Sequence, residues 1–246
     1  FSDILSQRLG HDSLSATLVF EFPTLRQLEA HLTAPAAPAT AAVQSPGPAT
    51  LDVAVAGRSC LLPGGVASLE ALQASSSTGC DLVNEVPPTR WDVDYSPPGY
   101  GAEVLGRARH GGFMQGAELF DNARFNVSPA EAGAMDPQQR LLLEHGYAAL
   151  HASGFKKASL MGSGAGVAVG ITQTEFNQVL AAGPLQRSVY TATSSSLSIA
   201  SGRLSFVLGL QGPCAAFETA CSASLVGCHS ALRALQHGEC EQHLAA

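Results

Sequence analysis

Basic residues are scarce in this chain and never cluster: Lys and Arg total 13, against 20 Asp and Glu. With a formal net charge of −7 and no basic run, nucleic acid is not an expected partner. No stretch of about 18 consecutive apolar residues occurs, so no membrane span is expected. The six cysteines, at 60, 80, 214, 221, 228 and 240, include no C-x-x-C pair, which leaves zinc and thioredoxin-type chemistry without support. No targeting pattern follows Phe1, and the chain is larger than a disulfide-stapled mini-domain. Together these features imply a reducing, cytoplasmic setting with most cysteines acting as small buried hydrophobes. The start at Phe1 and the end at Ala246, with no stop-like tail, suggest a piece of a longer polypeptide. What the chain does have is 46% hydrophobic and 13% charged residues, a balance that can bury a core.

Three segments separate by composition. Residues 1–32 mix apolar and polar positions. Residues 33–50, TAPAAPATAAVQSPGPAT, carry no charge and are dominated by Ala, Pro and Thr, the composition of an extended linker. Residues 51–246 read as an α/β domain. Strands are expected at Asp52–Gly57, Gly166–Gly170 and Cys214–Glu218, each a short apolar run. Ser128-Pro129-Ala130-Glu131 has a capping serine, a proline at the first helical position and an acid at the third. Asp136-Pro137-Gln138-Gln139 repeats that logic and opens a helix through Leu141, Leu142 and Leu150 that should stop by Gly154. Further helices are expected over 196–208, ended by Gly209, and over 222–236, with Leu225, Leu232 and Leu235 on one side and Gly238 beyond the end. Strands alternating with helices argue for a largely buried sheet covered on its faces.

Gly10-His11-Asp12-Ser13-Leu14 fits, letter for letter, the G-x-D-S-L stretch whose serine carries phosphopantetheine in carrier proteins. That serine must head a long helix, whose N-terminus favours the phosphodiester anion. Here the helical spacing of Phe1, Ile4, Leu5 and Leu9 precedes the motif, and Pro23 follows it closely before Thr24-x-x-Gln27 opens a new short helix. Residues 14–24, LSATLVFEFPT, instead resemble the L-P-A-T-L-V-F-D-x-P-T run near the end of carrier domains in modular polyketide synthases. The resemblance makes residues 1–32 the all-helical C-terminal remnant of an acyl carrier protein. It places the true attachment serine upstream of this chain and makes Ser13 a chance match. Thirty-two residues cannot enclose that family's core.

The stretch GPCAAFETACSASL, residues 212–225, places Cys221 after a short apolar strand and at the start of a helix. Backbone donors and the positive dipole end there favour a thiolate, although the same pattern also suits a packed cysteine. The stretch is similar to the β-ketoacyl synthase signature G-P-S-x-x-x-D-T-A-C-S-S-S-L, with Cys221 on its nucleophile. Cys214, Glu218 and Ala223 depart from that signature, and the longer Glu218 side chain must find another partner. AVAGRSCLLPGG (54–65), EVPPTRWDVD (85–94), the long run 111–144, GVAVGI (166–171) and SIASGRLSFVLGLQGP (198–213) extend the likeness in order over nearly all of 51–246. The resemblance implies a thiolase-like condensing-enzyme fold, of which this chain would hold the N-terminal half.

Other residues in these motifs have plainer readings. Arg90 and Trp91 suit a cover over an apolar loop, and Arg203 an ion partner at the core edge. His229 lies about 12 Å along a helix from Cys221, too far to be its base, and is read as packing. His145 and His151, six apart on one helix, do not share a face, so no metal site is expected.

The resemblance implies a decarboxylating Claisen condensation, with the Cys221 thiolate taking an acyl group from a phosphopantetheine arm and its backbone N–H serving the oxyanion hole. A malonyl-type extender on a second carrier domain would then lose CO₂ and attack the acyl-enzyme. No cofactor or metal is expected in the chain itself. Implied partners are carrier domains bearing acyl and malonyl-type thioesters, neighbouring synthase domains and a second copy in a homodimer. The family's two histidines, in an H-G-T-G-T stretch and a later G-H stretch, do not occur here, so this chain alone is expected to be acylated but not to condense. A cysteine at 221, where loading-type decarboxylases carry glutamine, favours elongation. A non-catalytic scaffold or dimerisation module is the alternative.

Overall fold

The computed structural model describes residue 29 and residues 52–92, 101–172, 175–183, 188–194 and 196–246. The chain divides into two units, Phe1–Thr50 and Leu51–Ala246. Apart from residue 29, the expected carrier remnant, with Ser13, and the linker lie outside the described residues.

In chain order the second unit holds α1 (Leu69–Ser77), β1 (Asn84–Glu85), α2 (Ala102–Ala108), β2 (His110–Gly111), α3 (Pro129–Ala134), α4 (Pro137–Ala152), α5 (Lys157–Leu160), β3 (Gly166–Gly170), α6 (Phe176–Ala182), α7 (Thr191–Ser194), α8 (Leu197–Leu208), β4 (Cys214–Phe217), α9 (Ala223–Gln236) and β5 (His243–Ala245). The short strands β1 and β2 pair antiparallel. The main sheet is parallel, in the order β4-β3-β5, with Val167 opposite Cys214 and Leu244. Parallel neighbours need crossover connections; α6 to α8 supply one and α9 the other.

Alternation along β3 assigns the two faces of the sheet. Val167 and Val169 join the main core with Leu143 and Leu150 of α4, and with Ala200, Leu204 and Leu208 of α8. Ala168 and Gly170 look the other way, onto α9, which packs by its small residues Ala223, Gly227, Ala231 and Ala234. The sheet therefore lies between two helical layers, as the alternating pattern implies.

Both expected helix starts form. Ser128 Oγ accepts from the Glu131 N–H at 3.1 Å, and Asp136 Oδ1 from the Gln138 N–H at 2.8 Å. Burial pushes the Asp136 carboxyl above its ordinary range, a shift that the Gln138 N–H partly opposes. Replacing Ser128 by alanine is expected to cost about 1 kcal/mol through the lost cap, read as a lower urea midpoint with an unchanged slope. The stops also agree: Gly154, Gly209 and Gly238 all have positive φ beyond α4, α8 and α9.

Two expectations fail, and the leucine side of α9 does not supply its buried face. The run 52–57 is not a strand, and Val55 is 85% exposed. A strand exists only by pairing, and this run faces a cleft of about 1090 Å³ across which lie Leu142 and His145 of α4, Leu235 of α9 and residues 242–246. Leu225 of α9 points to solvent, 74% exposed, because the sheet takes the small residues of that helix instead. Secondly, only Cys240 is buried; Cys60 is intermediate, and Cys80, Cys214, Cys221 and Cys228 are exposed. Cys228 follows Gly227 round α9 and so leaves the buried stripe, while Cys214 lies on an outer strand of the sheet.

Buried polar groups tie α3, α4, α7 and α8 together. Arg203 Nε donates to Gln139 Oε1 at 2.9 Å, and its Nη1 pairs with Glu131. Gln139 Nε2 donates to the carbonyls of Thr193 at 3.2 Å and Ser194 at 3.1 Å. The Asp136 N–H also donates to Ser194 O. Gln139 is thus committed to this network, and the ion-partner role expected of Arg203 is realised.

Candidate active site at the β4–α9 turn

β4 ends at Phe217, and the chain turns through Glu218 and Thr219 into a single 3-10 turn, Ala220–Ser222, before α9 begins at Ala223. Cys221 lies in that turn, one residue before the cap of α9, and its side chain is exposed. The expected strand-to-helix position is therefore met, with the thiol standing just ahead of the helix rather than in its first turn.

The turn is tightly constrained. Ala220 has φ 51, a left-handed conformation that non-glycine residues seldom adopt. Ser222 Oγ donates to Thr219 O at 2.8 Å and to Thr219 Oγ1 at 3.0 Å. The Ile171 N–H donates to Phe217 O at 3.0 Å, which extends the β3–β4 ladder up to the turn. Just beyond, Thr172 Oγ1 donates to Glu218 Oε1 at 3.2 Å, so Thr172 is the partner that the longer Glu218 side chain needs. Underneath, a Cβ on Gly170 would come within 2.5 Å of Ala223 C and Ser224 Cα. Glycine at the end of β3 is what lets the first turn of α9 rest on the sheet.

The sequence places Cys221 in this turn but does not point to Thr172, Gly170 or Ala220. Gly170 was legible only as the end of a strand. An alanine gives no sign of positive φ, and Thr172 gains meaning only from the register that brings it beside Glu218.

Among the described residues, no hydrogen bond links a histidine to the Cys221 thiol. His229 is exposed on α9 rather than packed, which corrects the expectation for it. His145 Nδ1 pairs with Ser59 Oγ at 2.8 Å, and His151 tilts against the Tyr147 ring. His243 opens β5 beside Gly166, at the opposite end of the parallel sheet from the turn, and burial lowers its pKa. Arg90 Nη2 donates to Met114 O, and Trp91 meets Phe113 edge to face, both in keeping with a loop cover. Among the described residues, no group of three or more His, Cys, Asp or Glu is placed to hold a metal ion, and no helix is long and apolar enough to cross a membrane.

Residues 50–246 match the family described as β-ketoacyl synthase, N-terminal domain. The chain is 41% identical over 240 residues to polyketide synthase GfsE of Streptomyces halstedii, covering 94% of this chain. It is 42% identical over 243 residues to the pikromycin polyketide synthase component PikAII of Streptomyces venezuelae, covering 95%. It spans 6% of the length of each of these relatives. Among solved structures, the ketosynthase from module 6 of the bacillaene synthase of Bacillus subtilis 168 superposes with a TM-score of 0.64 at 32% identity, over 76% of this chain and 30% of that one. An oxazolomycin ketosynthase domain of Streptomyces albus JA3453 gives 0.62 at 32% identity, over 75% of this chain and 33% of that one. The layered α/β arrangement is thus that of thiolase-like condensing enzymes. The chain belongs to the β-ketoacyl synthase family, whose N-terminal domain its residues 50–246 match.

Proposed function

We propose that Cys221 is the acyl-accepting nucleophile of a polyketide β-ketoacyl synthase. The observation that carries this reading is the exposed thiol in the turn between β4 and α9, at the end of a 14-residue helix where backbone donors and the dipole favour an anion. The thiol gives its proton to solvent base, and the sulfur attacks the carbonyl of an acyl thioester carried on phosphopantetheine. The Cys221 N–H is the proposed donor to the resulting oxyanion. Collapse breaks the bond to the pantetheine sulfur, which leaves as a thiolate and takes up a proton. The acyl group remains on Cys221, divided from the harder carbon–carbon step.

In the complete synthase, the acyl-enzyme would be attacked by the carbanion of a decarboxylating malonyl-type extender on a carrier domain. Carrier domains, neighbouring synthase domains and a second copy of the synthase are the proposed partners. Residues 51–246 would be the condensing part, residues 33–50 a linker and residues 1–32 the end of a carrier domain whose attachment serine is not Ser13. The step assigned to this chain is acyl capture.

Treating the 246-residue chain with substoichiometric iodoacetamide, or with an acyl-pantetheine thioester, and mapping the adduct by peptide mass spectrometry tests this. Cys221 should react before Cys80, Cys214 and Cys228, which are also exposed. Cys221→Ala should abolish the acyl adduct. Prior acylation of any other cysteine would overturn the assignment.

A further inference from the structure

We infer that Thr172 is a positioning residue for the Cys221 thiol, acting by holding the Glu218 carboxylate away from it. The inference rests on the reading of Cys221 as nucleophile and extends it to a residue on another strand.

Glu218 lies three positions before Cys221, in the same short connection. Its carboxylate is an anion on a long side chain near the start of α9, where the helix dipole attracts anions. The same field would stabilise a thiolate or an oxyanion at Cys221. An unrestrained carboxylate here competes for that field and repels a second negative charge. The structure gives this carboxylate another partner: Thr172 Oγ1, 3.2 Å from Glu218 Oε1 and two residues past the end of β3. Thr172 can deliver that bond because the β3–β4 pairing runs without a break from Gly170 opposite Phe217, through the Ile171 N–H to Phe217 O, up to the turn. The turn itself is held by other means, the two Ser222 hydroxyl bonds and the close rest of α9 on Gly170. The Thr172 hydroxyl is therefore free to govern where the charge of Glu218 sits rather than whether the turn forms.

Charge placement can be read directly by comparing a neutral and an anionic alkylating reagent. The experiment measures the rates of Cys221 modification by iodoacetamide and by iodoacetate on the full chain, by peptide mass spectrometry. Thr172→Val should lower the iodoacetate-to-iodoacetamide rate ratio by about two- to fivefold, the effect of one exposed charge brought close. Thr172→Ser, which keeps the hydroxyl, should retain the wild-type ratio. Adding Glu218→Gln to Thr172→Val should restore it, because no charge remains to move. A loss of packing alone would slow both reagents alike and would not be rescued by Glu218→Gln. An unchanged ratio in Thr172→Val, or a double variant that stays low, overturns the inference. If Cys221 in the unaltered chain is not the preferred site for either reagent, it is the nucleophile reading that falls instead.

Discussion

Replacing Gly170 with alanine is expected to cost about 3 kcal/mol or more of stability and to slow alkylation of Cys221. The new methyl group would meet main-chain atoms of Ala223 and Ser224, not the tip of a side chain that could swing away. Relief requires α9 to lift off the end of β3, which carries the turn holding Cys221 with it. Gly227 is the natural control. It lies on the same interface, one turn further along α9, but a Cβ there would find its nearest neighbours at 3.7 and 3.8 Å, which is ordinary contact. Gly227→Ala should therefore be tolerated, with the helical preference of alanine recovered as a gain of up to about 1 kcal/mol. Urea unfolding of the two variants, followed by Cys221 labelling, checks both halves. Equal stability of Gly170→Ala and the unaltered chain would mean that the helix does not rest on the sheet so closely.

A loss of about 2–4 kcal/mol is expected for Arg203→Leu. The Arg203 side chain is 9% exposed and its partner Glu131 26%, so the pair is largely shielded from water. Leucine would preserve much of the bulk but strand the Glu131 carboxylate and leave Gln139 Oε1 without its donor. Because Gln139 also holds the carbonyls of Thr193 and Ser194, the damage should spread from α8 to α7. A double replacement, Arg203→Leu with Glu131→Leu, should recover part of the loss, since no unpaired charge would remain. A midpoint shift in urea with little change of slope is the measurement, and the absence of such recovery would argue against the stranded charge as the cause.

The parts of the fold that were legible in the sequence are those fixed locally. Ser128, Asp136, Gly154, Gly209 and Gly238 mark helix ends by their own chemistry, and each marks one in the structure. Gly166–Gly170 was legible because a strand buried on both faces must be apolar throughout. Asp52–Gly57 is a similar short apolar run but has no strand beside it among the described residues, and composition cannot reveal whether a partner is present. The leucines of α9 do not mark its buried face, for a related reason. A leucine stripe normally marks the buried face of a helix, but here close approach to the sheet selects alanine and glycine for that face. Of the candidate site, the cysteine and its place between strand and helix could be read from residues 212–225. The left-handed Ala220 and the reach of Thr172 to Glu218 could not, since both depend on how two strands align in space.

The outer margin of β5 has a consequence for handling the isolated chain. Among the described residues, β5 pairs with β3 on one side and has no strand on the other, and its residues border the cleft walled by apolar segments of α4 and α9. A strand edge beside a greasy trough forms an adhesive seam, the kind of surface on which extended peptides add and like molecules stack. Mutual repulsion from a net charge of −7 opposes that stacking. Added salt, by screening the repulsion while leaving the seam intact, should therefore promote clumping rather than dissolve it.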